Sequence, residues 1–256
     1  MPIPKSDYLS EVWKDGIFAN KVVFCTGGAG TICSAQVRAM VYLGASACIV
    51  GRNVDKTESM ARDIATARAG AKVLGIGSID VRKMASLEAA VGRCVQELGG
   101  LDFVIGGRAP TSAGAAGNFL APITQSSANA FKSVIDIDVL GSYNTLKATL
   151  PHLVASARQH PTDGKSTSPT GTGGRIIFIS ATIHYTGQPL QSHVMAAKAA
   201  VDALSAPRPS SSAPAASPPT SLPPAPSPAP RAYCAWPRKS ISPGRRRGSP
   251  SAGGAP

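Results

Sequence analysis

Aromatic residues make up only 5% of this 256-residue chain, and charged residues 16%. No apolar run approaches the ~18–20 residues that a helix needs to cross a bilayer, which excludes an integral helical membrane protein. The N-terminal stretch MPIPKSDYLSEVWKDG carries Lys5, Asp7, Glu11, Lys14 and Asp15 and has no apolar core. A secretory signal is therefore not expected. Paired cysteine spacing is absent. Five cysteines, at 25, 33, 48, 94 and 234, fit reduced thiols inside a cell better than a disulfide framework. His152, His160, His184 and His193 show no metal-ligand spacing, so no metal is expected.

Acidic residues are missing from the last fifty positions. Residues 207–256 hold seven Lys/Arg, no Asp or Glu, 14 of the 22 prolines and ten serines. That segment carries +7 of the formal charge of +12, leaving +5 for residues 1–206. Such a composition cannot bury enough apolar surface to offset chain entropy. A globular domain over 1–206 followed by a disordered Pro/Ser/Arg tail over 207–256 is therefore expected.

The front part alternates short apolar runs with helical patterns. Strands are expected at Lys21–Thr26, Ser46–Val50, Lys72–Gly77, Leu101–Ile105 and Arg175–Ile179. Helices are expected at Thr31–Leu43, Val54–Arg68, Ser86–Leu98, Ala128–Asp136, Ile137–Leu153 and Ser192–Leu204. Strands alternating with helices imply right-handed crossovers. The fold class is α/β, a doubly wound parallel sheet of Rossmann-like type.

The first strand runs into Thr26-Gly27-Gly28-Ala29-Gly30-Thr31-Ile32-Cys33. Glycines there let the backbone approach a pyrophosphate, and the following helix N-terminus offers free N–H groups. Gly27, Gly28, Gly30, Thr31 and Ile32 are the expected cradle. The second strand ends in Val50-Gly51-Arg52-Asn53. An NAD-selective site usually has Asp or Glu there, whereas an arginine accommodates a 2′-phosphate. Arg52 points to NADPH. Asp80 and Val81 follow the third strand, where an adenine ring would lie, although Asp80 also suits a helix cap.

These residues resemble the short-chain dehydrogenase/reductase family over about 18–205. TGGAGTI, GRN, DV and Ala196-Ala197-Lys198-Ala199-Ala200-Val201 stand in the family's order. Three longer strings, TGGAGTIC (26–33), GAAGNFLAP (114–122) and FKSVIDIDVLGSYNTLK (131–147), are similar to the peroxisomal 2,4-dienoyl-CoA reductase branch, particularly its fungal form. Most family members carry a catalytic Ser and a Tyr-x-x-x-Lys. Here the tyrosine position is Val194 and the serine position Ala181, and neither can donate a proton. An ordinary carbonyl reductase is disfavoured, and dienoyl-CoA reductases are similar in lacking that tyrosine. Tyr185 does not align with the role and is expected to pack or to line a pocket.

The resemblance implies Asp138 as the catalytic acid, a role that asks for partial burial. It implies Lys198 as the residue holding the nicotinamide ribose and supplying positive charge. Asn118 and Phe119 match substrate-pocket positions, and Ser180 is a further candidate hydroxyl. Asp136 and Asp138, two apart on a helix, point to different faces and make no paired-carboxylate site. The implied substrate is a 2,4-dienoyl-CoA, the product a 3-enoyl-CoA and the cofactor NADPH. Nucleic acid and membrane are not expected partners. Relatives commonly form homo-oligomers, and the implied location is the peroxisome, although the terminal Gly-Gly-Ala-Pro is no peroxisomal address; otherwise the location would be cytoplasmic. Alternatives are another short-chain reductase acting on acyl thioesters or ketones, or an inactive relative whose basic tail binds an acidic partner. Only Tyr233 and Trp236 interleave that tail with aromatics.

The family continues after the lysine helix with strands and a Pro-Gly turn that the written sequence lacks. Back-translated with GC-rich codons and read from the third base of Arg208, the tail can spell SLELGPRGVTSNVIAPGPIAGTEG, which looks like that continuation. The expectation is a frame or splice error from about residue 206, and a similar insertion at 107–113. Missing C-terminal strands would leave an open sheet edge and an uncovered pocket.

Overall fold

Along the first strand the side chains divide by parity. Val23 and Cys25 enter one apolar cluster, and Val22 and Phe24 enter another on the opposite face. This two-residue alternation recurs in the second strand, with Ala47 and Ile49 against Cys48 and Val50, and in the fourth, with Phe103 and Ile105 against Val104. A strand buried on both faces belongs inside a parallel sheet covered by helices on both sides.

The computed structural model describes residues 13–107, 119–160 and 173–206, all within the unit Met1–Arg208. Strands β1 (Val22–Thr26), β2 (Ser46–Val50), β3 (Val73–Ile76), β4 (Phe103–Gly106) and β5 (Arg175–Phe178) form one sheet in the order β3-β2-β1-β4-β5. Every pairing is parallel. Helices α1 (Thr31–Tyr42) and α2 (Val54–Ala65) supply Val37, Val41, Ala61 and Ile64 to one face. Helices α3 (Met84–Leu98) and α5 (Gly141–Gln159) supply Val91, Cys94 and Leu153 to the other. Fully burying a side chain such as Phe24 or Ile49 stabilises by about 1.5–3 kcal/mol. The doubly wound expectation is met, and element boundaries agree within a few residues.

One helix differs from its sequence reading. Between α4 (Ala128–Ile135) and α5 lies a π-helical turn, Asp136–Leu140, and α5 continues to Gln159 rather than ending at Leu153. Apolar spacing fades after Leu153, but the backbone ladder persists through the polar residues that follow. Two further helices, α6 (Ile183–Thr186) and α7 (Ser192–Ser205), follow β5.

Opposite ends of the sheet are fixed differently. At the N-terminal ends of the strands, Asp102 accepts from the Val22 amide at 2.9 Å and from the Ser156 hydroxyl at 2.6 Å. This ties β1, β4 and α5 together. The C-terminal ends are left open for a cleft. Among the described residues β5 is the outer strand on its side, and Ile177 is 49% exposed. Ile177 faces an apolar groove shared with Trp13, Phe18 and Ile32. The expected C-terminal tail and the insertion beyond Gly107 lie outside the described residues.

Candidate active site

Successive crossovers step from β1 outward to β3, then return past β1 to β4. The crevice therefore opens where strand order reverses, at the carboxyl ends of β1 and β4. A cleft of about 680 Å³ lies there, lined by the strand ends and by residues of the π turn and α5. Gly27, Arg52, Asp80, Val81, Asp138 and Lys198 all line it.

The glycine turn is shaped by close approach. Gly27 has φ +64°, a conformation that disfavours side chains. A Cβ on Gly28 would lie 2.5 Å from the Ile49 Cβ, so only glycine lets this turn settle on β2. Gly30 caps α1 without a side-chain hydrogen bond, leaving first-turn N–H groups for an anion. Thr31 and Ile32 open the helix. The Ile32 side chain is 61% exposed and lines the separate apolar groove rather than the cleft.

Arg52 is exposed at the end of β2. Asp80 is engaged by Arg82, which donates from its backbone N–H at 3.0 Å and from its guanidinium at 2.6 Å. These bonds hold the Asp80 carboxyl below its ordinary range, with a lesser contribution from the Arg52 charge. Asp80 thus forms a turn around Arg82 rather than capping a helix through its side chain; the N-cap of α3 is Lys83. Asn144, which the sequence reading did not single out, is buried and donates from its amide to the Val81 carbonyl at 3.0 Å. That bond fixes the floor of the cleft to α5.

Asp138 occupies the centre of the π turn with its carboxylate wholly enclosed. Lys198, on α7, places Nζ 3.5 Å from Asp138 Oδ2 and donates to the Ile179 carbonyl at 2.9 Å. Asp136 turns outward instead, paired with Lys132 at 2.5 Å. Val194 is buried one turn before Lys198.

Beside this pair lies a second polar group. Asp202 contacts His184 Nε2 at 3.1 Å and accepts from the Tyr185 hydroxyl at 3.2 Å. Its carboxyl is held below the ordinary range, first by the Ser180 hydroxyl, then by Tyr185 and the charges of His184 and Lys198. Ser180 Oγ is buried and falls short of full hydrogen-bond geometry, yet it lies near enough to favour that carboxylate. Tyr185 is 75% exposed, so of its two expected roles, packing or pocket wall, the packing role does not hold. Phe119 stacks flat on the buried His193, centroids 3.9 Å apart and planes within 4°. Asn118 lies outside the described residues, and among those described no group of ligating side chains could hold a metal.

The short chain dehydrogenase family profile matches residues 21–207, spanning every element described. The chain belongs to this family. Among curated short-chain dehydrogenase relatives, it is 46% identical over 194 residues to a peroxisomal 2,4-dienoyl-CoA reductase ((3E)-enoyl-CoA-producing) of Saccharomyces cerevisiae, covering 75% of this chain and 59% of the relative. It is 36% identical to the Arabidopsis thaliana protein of that name, covering 75% and 58%. The chain thus spans under three fifths of the length of both relatives. A solved short-chain dehydrogenase from Mycobacterium paratuberculosis bound to NAD superposes with TM-score 0.59 at 25% identity, covering 74% of this chain and 66% of that one. An NAD+-bound xylitol dehydrogenase shares the fold at TM-score 0.59 and 22% identity, covering 73% and 63%.

Membership of the family supports a nicotinamide cofactor, and the cleft suits one. Its glycine turn excludes any side chain at position 28, the first turn of α1 has no side-chain cap, and Lys198 lines its wall.

Proposed function

We propose that this chain carries the machinery for NADPH-dependent reduction of 2,4-dienoyl-CoA esters to 3-enoyl-CoA, within β-oxidation of unsaturated acyl chains. The observation that carries the reading is the enclosed Asp138 carboxyl beside Lys198, in a site where Val194 and Ala181 replace the family's tyrosine and serine. The relatives named 2,4-dienoyl-CoA reductase support it.

A nicotinamide held in this cleft would supply hydride for the far end of the conjugated diene. Asp138 holds the proton that ends on the carbon beside the thioester, directly or through one water. Lys198 keeps positive charge beside the developing dienolate, and its bond to the Ile179 carbonyl fixes that ammonium in place. Phe119, held by His193, forms one wall for the acyl chain, and Asn118 orients the thioester oxygen. Ser180 supports the same end of the site.

Arg52 takes the 2′-phosphate. A free carboxylate at Asp80 would repel that phosphate, but Arg82 already neutralises it. Gly27, Gly28, Gly30, Thr31 and Ile32 offer backbone to the pyrophosphate, and Asp80 and Val81 flank the adenine. We assign residues 1–206 to this domain, with an acyl-CoA substrate, a homo-oligomeric assembly and a peroxisomal location like that in the relatives' names. No helix among the described residues is long and apolar enough to cross a membrane.

The test is NADPH oxidation by the full chain with a 2,4-dienoyl-CoA against a 3-oxoacyl-CoA. Consumption with the dienoyl ester alone supports the reading. Consumption with the oxo ester alone overturns it.

A further inference from the structure

Past the end of β5 the chain is stitched to α7 at two points. Ile179, which lines the cleft, accepts at its carbonyl from the Lys198 ammonium at 2.9 Å. Two residues on, the Ala181 carbonyl lies 2.9 Å from His184 Nδ1, and the other ring nitrogen, Nε2, lies 3.1 Å from Asp202 Oδ2. The His184 side chain is 9% exposed, and the Tyr185 ring rests against it with centroids 3.8 Å apart. Lys198 and Asp202 are one turn apart on α7, which puts them on the same face of the helix. Two carboxylates, Asp138 and Asp202, and two basic groups, Lys198 and His184, are thus joined through α7 in one array.

We propose that His184 is a positioning residue: its imidazolium form occupies the Asp202 carboxylate and leaves the Lys198 ammonium to Asp138 and the Ile179 carbonyl. The inference rests on the reading of Asp138 and Lys198 as the acid and the cation of a reductase site.

The proton count favours the charged ring. A carbonyl and a carboxylate can only accept, so an imidazole with one N–H serves one of its two neighbours and turns a lone pair on the other. The imidazolium serves both. The Tyr185 ring beside it adds an aromatic face, which attracts a cation. The charged groups around His184 are Asp202 and Lys198 of α7, with Asp138 of the π turn behind Lys198; Tyr185 is the titratable neighbour on α6 itself.

A neutral His184 changes the balance. Asp202 keeps the hydroxyl of Tyr185 at 3.2 Å but loses its countercharge, and one helical turn away stands the ammonium of Lys198. Any movement of that ammonium towards Asp202 withdraws it from Asp138, 3.5 Å away, and strains its bond to Ile179. His184 therefore acts through Lys198, without touching the reacting atoms.

The experiment follows the full chain by NMR and by kinetics. The His184 ring is assigned by the signals that His184→Gln removes, then titrated in the parent and in Asp202→Asn. The ring should lose its proton at lower pH in Asp202→Asn, because the carboxylate favours the charged form; equal midpoints overturn the proposal. In the parent, kcat for a 2,4-dienoyl-CoA should fall with rising pH along the ring's own titration curve. His184→Gln should lack that limb and turn over about tenfold more slowly than the parent's plateau, the scale of coupling between groups in contact. Adding Asp202→Asn to His184→Gln should bring kcat back to within about threefold of the parent, since no second carboxylate then competes for Lys198. A double variant as slow as His184→Gln would make the ring a structural staple and overturn the proposal. Tyr185→Phe removes a hydrogen bond to the same oxygen but no charge, and should keep the parent's pH profile; loss of the limb there also overturns it. If the parent does not reduce the dienoyl ester, the reductase reading fails, and the ring titration still decides whether His184 and Asp202 are paired.

Discussion

The ammonium of Lys198 lies 3.5 Å from the carboxylate of Asp138, brought from α7 to the π turn where both residues line the cleft. Lys198 faces the cleft on one side and an enclosed acid on the other. The two residues make one unit, and removing either should be felt by the other.

Replacing the acid tests its role most directly. Asp138→Asn preserves size and hydrogen bonding but removes the transferable proton. NADPH binding should stay within about threefold, while dienoyl-CoA turnover falls ~10²–10⁴-fold, the usual worth of a general acid. Stopped-flow measurement of NADPH oxidation checks this, and near-normal turnover would remove Asp138 from the mechanism.

Cofactor choice should follow Arg52. Arg52→Ala should weaken NADPH by about tenfold or more, the worth of one charge-assisted phosphate contact, and leave NADH nearly unchanged. Parallel fluorescence titrations with the two dinucleotides decide it. Equal losses would show that Arg52 does not meet a 2′-phosphate.

The Asn144 amide has a structural task that can be separated from chemistry. Asn144→Ala leaves the Val81 carbonyl without its donor at a half-buried site, which costs about 1–3 kcal/mol. The denaturant midpoint should drop accordingly and NADPH affinity should fall with it. A variant of unchanged stability would show that the Val81 carbonyl finds another donor.

Acid should reveal the Asp80–Arg82 pair. The folded-state carboxyl of Asp80 is held below its ordinary value, chiefly by Arg82. Its contribution is therefore present above the unfolded value and disappears as pH falls through the folded one. The stability gap between the parent chain and Arg82→Ala should be constant above about pH 5 and narrow as the pH falls below the ordinary carboxyl range. Urea midpoints across that range measure it, and a gap that persists in acid would place the Arg82 contribution in packing.

Much of this was legible in the sequence because it depends on local pattern. The short apolar run of Val22–Thr26 marks a buried strand, and Gly27 to Gly30 mark the turn after it. Arg52 and Asp80 follow their strands at fixed offsets and do reach the cleft. Contacts between distant segments were not legible. The Asn144 bond to Val81 joins residues that no spacing relates. The Asp202 contacts with His184 and Tyr185 need α6 folded back on α7, so an exposed tyrosine read as packing or pocket wall. The π turn was hidden for another reason. Helical periodicity over 128–159 reads the same whether or not one turn is wide.

That wide turn makes chain length more critical than residue identity between 136 and 140. A π turn takes up one residue more than an α-helical turn, so deleting one residue there would let the ladder close in regular α form while Asn144, Thr145 and Thr149 keep their buried face. The loss would fall on Asp138, which sits at the centre of the wide turn and would be displaced from the cleft. Substitutions in this stretch should be graded in their effect. Single deletions should be all or nothing.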